Sequence, residues 1–206
     1  MSVQLRLRKL IWFIPIIAIT FFAGCGSPSD APTKEDGPAV PLMGKIEGRL
    51  TVDGSTAGYP GPSISVSGVE VHLAHDGTNF YVHARAESEG WISVGFNEEG
   101  GGMDGANMVL GFVDENDGAV VRNDLGRGTN HSEVGAPGII EAIVLQDDDF
   151  MLLEFSYPMV FPGGNNFRVE SLASNQVYSL IAATNTQSGD LSRPHSNRGK
   201  IDFQVE

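Results

Sequence analysis

The chain has 206 residues, enough for one domain of ordinary size, and carries 26 acidic against 13 basic residues for a net charge of −13. That balance argues against nucleic acid as a partner, because phosphates need cations, and against docking flat on an anionic lipid surface. With one cysteine, no disulfide forms within the chain, so the fold must rest on its core.

Arg6, Arg8 and Lys9 precede an almost unbroken apolar run from Leu10 to Phe22, which Ala23, Gly24 and Cys25 follow. A positive region, a short apolar run and small residues make a secretory signal, too short and too abruptly ended for a membrane span. Phe22-Ala23-Gly24-Cys25 resembles a bacterial lipobox, with Phe22 where a branched aliphatic residue is usual. The resemblance implies cleavage before Cys25, lipidation of its thiol, and stable anchoring by several acyl chains where one would be marginal. The expected location is outside the cytoplasm, on the cell membrane or on an outer membrane, since Gly26 rather than Asp follows the cysteine. Gly26 to about Leu42 is rich in Pro, Ser, Asp and Gly and lacks periodicity, which predicts a disordered tether. The expected division is a signal peptide over 1–24, the lipidated cysteine and tether over 25–44, and a folded domain over 45–206.

From Lys45 onward the pattern is β. Val69–Leu73 and Phe80–Ala84 alternate around the turn His75-Asp76-Gly77-Thr78-Asn79, which predicts a hairpin. Strands are expected over Trp91–Phe96, Met108–Val113, Ala119–Val121, Ile139–Leu145, Phe150–Phe155, Phe167–Leu172, Val177–Ala183 and Lys200–Val205. About ten to eleven short strands separated by Gly, Asn and Asp turns indicate an all-β antiparallel sandwich, with no amphipathic helix and no internal repeat. Three long connections stand out, because long loops in compact domains are usually functional: 97–107, 122–138 with His131, and 185–199 with His195. In a sandwich, loops gather at the two ends, so distant loops can meet and form a site.

Met103 sits on a glycine-rich loop between two strands, an unusual place for an apolar filler. A methionine thioether and a histidine nitrogen are the axial pair of electron-transfer haems, and His195 is the candidate partner. Trp91, Phe96, Met108 and Phe112 are the apolar residues expected to supply part of a slot. Met108, the competing sulfur, lies in an apolar strand and reads as core. There is no Cys-x-x-Cys-His, so covalent attachment is excluded and the expected cofactor is non-covalent haem b. Arg198 and Arg193 flank His195 and are candidates to pair with haem propionates.

Gly90-Trp91-Ile92-Ser93-Val94-Gly95-Phe96, then Gly102-Met103-Asp104-Gly105-Ala106-Asn107-Met108 and, near the end, Pro194-His195-Ser196-Asn197-Arg198-Gly199, resemble the DOMON family. The likeness extends over most of Val69 to Phe203. It implies an immunoglobulin-like β-sandwich and, as in the b-type haem domains of the family such as the cytochrome domain of cellobiose dehydrogenase, iron ligation by Met103 and His195. Asn107 stands where many members have Asp. The implied function is an exported, lipid-anchored cytochrome domain that passes single electrons to an exported redox partner and is not itself an enzyme. Two alternatives stand beside it. One is a haem-free module binding a sugar, with Trp91 or Tyr59 stacking on the ring; the other is a reversible haem sensor or carrier.

Other motifs carry less. His72 and His83 face each other across the hairpin and read as exposed strand histidines. His131 has two open readings, the haem edge or a partner surface. The acidic groups at 98–99, 114–117 and 147–149 match no calcium loop and read as solvated turns. Ser63, Ser65 and Ser67 alternate on a strand without a nucleophile elbow, so a hydrolase triad has no support.

Overall fold

The structure, a computed structural model, describes residues 39–114, 118–191 and 193–206. The signal segment, Cys25 and most of the expected tether lie outside the described residues.

The described residues form an all-β sandwich of twelve strands: β1 (Leu42–Lys45), β2 (Ile64–Val66), β3 (Val69–His75), β4 (Asn79–Glu87), β5 (Trp91–Glu98), β6 (Asn107–Val113), β7 (Ala119–Arg127), β8 (Asn130–Glu133), β9 (Glu141–Asp147), β10 (Phe150–Pro158), β11 (Val177–Asn185) and β12 (Asn197–Val205). One layer runs β8-β7-β6-β5-β11-β12-β1 and the other β1-β3-β4-β10-β9, with β2 beside β3. The first strand joins the layers. Leu42 and Met43 pair in parallel with Gln204 and Val205 of β12, and Gly44 and Lys45 with Ala74 and His75 of β3. The remaining strand pairs are antiparallel.

The core lies between the layers. Alternation on β5 sends Ile92, Val94 and Phe96 inward against Val82 of β4 and Leu153 and Phe155 of β10. Phe96 packs edge-on to Phe80 at 5.0 Å and to Phe203 at 5.9 Å. Asn107 also turns inward. It accepts a hydrogen bond from Asn123 Nδ2 at 2.5 Å, and the Tyr157 hydroxyl donates to Asn123 Oδ1 at 2.8 Å.

Three boundaries differ from the sequence expectation. The sandwich begins at Leu42, inside the segment read as tether, because Met43 is a fully buried core residue. Phe167–Leu172 forms only a single bridge between Val160 and Ser171, although Val169 and Leu172 bury their side chains from irregular backbone. The expected loop over 122–138 is mostly the β7–β8 hairpin. Its polar residues Asn123 and Asp124 hid the strand, yet both are buried with side-chain partners.

Candidate functional site

The outer face of the first layer carries a second, smaller apolar cluster. Ala106, Met108 and Leu110 come from the stretch ending in β6 and Ile181 from β11, with Met103 and Leu191 packed on them from two loops. Register explains the grouping: Ile181 faces Gly95, which faces Met108, and Ala183 faces Ser93, which faces Leu110. This face is the floor of a cleft of about 380 Å³, within the usual range for small-molecule sites. Trp91, Met103, Met108, His131, His195 and Arg198 all line it. Gly95 helps keep the floor low, since a Cβ there would meet Met108 Cγ at 3.0 Å.

The loops that carry Met103 and His195 do not meet at one end of the sandwich. The β5–β6 loop lies beyond the end of β5, and the β11–β12 loop lies where the antiparallel β11 ends beside Trp91. They bracket the outer face from its two ends. The five steps from Trp91 to Phe96 span about 17 Å at a strand's rise per residue.

The Met103 loop is held at many points. The amide of the fully buried Asn97 donates to Gly102 O at 2.6 Å and to Asp104 O at 2.9 Å. Ala106 N donates to Met103 O at 3.0 Å and Gly105 N to Gly126 O at 2.9 Å. The Asp104 carboxylate accepts from Gly128 N at 2.8 Å and Arg168 Nη2 at 2.5 Å, and these partners hold it below the ordinary carboxyl value. The Lys200 ammonium donates to Gly100 O. Gly126 lets the loop lie against β7: a Cβ there would sit 1.8 Å from Met103 O. A loop so fixed presents its thioether with little conformational entropy left to lose.

His195 is held by the residues on either side of it. Asn185 Nδ2 donates to Pro194 O at 2.8 Å, and Ser196 N donates to Thr184 O at 2.7 Å. Asn185 Oδ1 in turn accepts from Gln187 N and Ser188 N, closing the loop's first turn. The His195 ring stands edge-on to Trp91 at 6.2 Å, and neither of its nitrogens is hydrogen-bonded to a described residue. Burial, then Arg198 and His131, push its pKa down from the ordinary value. The ring is therefore neutral near pH 7, the form that donates a lone pair to a metal.

Trp91, Met103, Met108, His195 and Arg198 thus line one cleft. The Arg198 guanidinium is exposed at the rim without an ion pair among the described residues. Phe96 does not join them. It lies five residues from Trp91 on the same strand, so alternation turns it into the core between the layers. Phe112 shares a face with Trp91, its cross-strand partner, but is not among the cleft's lining residues.

Elsewhere, His72 and His83 pair across the hairpin as expected, but His83 is 4 % exposed rather than a surface residue. The strap between β1 and β2 covers them: Tyr59 packs on both rings, and its hydroxyl donates to the fully buried Glu154 at 3.1 Å. This engagement also removes Tyr59 as an open stacking platform. Among the described residues no group of three or more His, Cys, Asp or Glu side chains is gathered as a metal site.

No protein-family model and no curated protein matches the chain. Among solved structures, the chain is similar to the cytochrome b domain of pyranose dehydrogenase from Coprinopsis cinerea. Identity is 12 % and the TM-score 0.49, over 66 % of this chain and 75 % of that one. It is also similar to a family 9 carbohydrate binding module from Caldicellulosiruptor kristjanssonii in complex with glucose, at 7 % identity and a TM-score of 0.47 over 80 % and 95 %. A third is the cytochrome domain of Myriococcum thermophilum cellobiose dehydrogenase, at 16 % identity and a TM-score of 0.44 over 67 % and 74 %. Likenesses this distant do not choose between a cytochrome domain and a carbohydrate-binding module.

Proposed function

We propose that this chain is an exported, lipid-anchored DOMON-type domain that holds one non-covalent haem b in the outer-face cleft, with Met103 and His195 as iron ligands, and relays single electrons to an exported redox partner. The observation that carries the reading is that these two residues, from loops far apart in sequence, line one apolar cleft on backbones fixed from several sides.

The residues present suit the group. Met108, Leu110, Ile181 and Trp91 offer an apolar floor and wall. Among the described residues, His195 offers an unengaged ring nitrogen and Arg198 an unpaired cation for a carboxylate at the rim. When bound, the iron supplies a reversible one-electron change, and a thioether ligand favours its reduced form. With haem bound there, Met103 and His195 would be the residues that hold its iron, and the chemistry supplied would be electron transfer rather than bond-making.

Titration of the purified protein with haem tests the reading. Saturation at one haem per chain is expected, and a protein that takes up none overturns it. Glycan binding by a haem-free protein that survives Met103→Ala would select the sugar-binding alternative.

A further inference from the structure

His131 is no member of the Met103–His195 pair, yet it is built into the same cleft. Its Nδ1 lies 2.5 Å from Asp124 Oδ2, and that carboxylate is fully buried. Arg122 grips the same carboxylate from the other side, Nε to Oδ1 at 2.7 Å and Nη2 to Oδ2 at 2.5 Å. Three nitrogens, two from the guanidinium and one from the ring, thus converge on the two oxygens, and the guanidinium pairs with the group as a carboxylate. A carboxylate accepts and does not donate, so the proton of the shared bond sits on His131 Nδ1. In the neutral ring the lone pair is then on Nε2, which has no partner among the described residues. A carboxylate that fixes the tautomer and orientation of an imidazole is the usual support of a metal-ligating histidine.

Position sharpens the point. His131 pairs with Gly126 across β7 and β8, and Gly126 is the residue against which Met103 lies. The amide of Gly128, at the hairpin turn, donates to Asp104 in the Met103 loop. His131 and Met103 therefore flank one glycine and reach the cleft from the same rim, while His195 enters beside Trp91.

Resting on the haem reading above, we propose that His131 is a second axial ligand of this cleft, positioned by Asp124, and that it binds the iron opposite His195 when the Met103 thioether does not. Imidazole suits iron in either oxidation state, whereas the thioether is a soft ligand. The cleft thus has a His195–Met103 form and a His195–His131 form.

The test uses the full chain loaded with haem, read by absorption and electron paramagnetic resonance. Four proteins are compared: wild type, His131→Ala, Met103→Leu, and the double variant. Wild type and His131→Ala are expected to be low-spin and alike, Met103→Leu to remain low-spin with a two-imidazole signature, and only the double variant to turn high-spin. Asp124→Asn in the Met103→Leu background is expected to weaken haem affinity about 10- to 100-fold, the usual effect of removing such a support. A Met103→Leu protein that is high-spin with or without His131 overturns this proposal and leaves the parent reading standing. A wild-type protein that takes up no haem overturns both.

Discussion

The two outer faces of the sandwich both carry histidines, and they treat them in opposite ways. On the second layer, His72, His83 and Glu154 form a row across β3, β4 and β10. The strap seals it: Gly54 N donates to Glu154 at 2.6 Å, and His83 Nε2 lies 3.3 Å from Gly54 O. On the first layer no strap crosses the cleft among the described residues, and there His195 and the Nε2 of His131 have no hydrogen-bond partner beside the apolar floor. A histidine enclosed under the strap contributes to folding. One fixed by its backbone, with a lone pair open to a cleft, is available to a ligand.

The largest expected effect separates the two faces directly. His195→Ala should abolish the low-spin haem spectrum while leaving the thermal midpoint close to wild type. Glu154→Ala should do the reverse. It strips the Gly54 amide and the Tyr59 hydroxyl of their acceptor, at about 1–3 kcal/mol for each group left unpaired. Urea unfolding of the two variants, beside their haem spectra, reads both halves; a Glu154→Ala protein with wild-type stability would break the contrast.

Gly126→Ala comes next and acts on the open face alone. The added methyl must displace the Met103 backbone, and crowding of this kind costs about 1–3 kcal/mol. Haem retention is expected to fall with stability, measured by transfer to an apo-globin. Unchanged retention would show that the loop's seat on β7 does not matter.

The smallest effect is one of pH on the second layer. Burial lowers the pKa of His83 and of His75 from the ordinary 6.5. Above that value folded and unfolded chains are both neutral and the stability is complete. Below it the unfolded chain takes up protons that the folded one refuses, so stability falls with pH until the lowered values are passed. Glu154 works in the opposite sense, because burial raises its pKa: its contribution is complete at low pH and fades as pH rises from 4.5 through the raised value. The urea midpoint is expected to fall below pH 6.5, and His83→Gln to flatten that fall without removing it, since His75 remains. An equally steep fall in His83→Gln would remove His83 from the account.

Much of this was legible in the sequence, and the failures have physical causes. Alternation with Gly and Asp turns marked β3, β4, β5, β6, β10 and β11, because each has a consistent inward set. The glycine-rich setting of Met103 and the loop placement of His195 were likewise visible. The β7–β8 hairpin was not, because buried Asn123 and Asp124 interrupt the apolar pattern and are satisfied by partners distant in sequence or, for His131, across a turn. The role of Asp124 in orienting His131 was hidden for the same reason. Phe96 lies an odd five residues from Trp91, so the strand's period of two turns it inward, which counting parity makes legible. The strap's hold on Tyr59 had no local signal, since Glu154 lies 95 residues away.

The most direct measurement is the absorption spectrum of the wild-type protein loaded with haem, oxidised and then reduced. The account expects a Soret band with sharp low-spin α and β bands on reduction, lost in His195→Ala. A wild-type protein that stays colourless, or one whose bands survive His195→Ala unchanged, would contradict it.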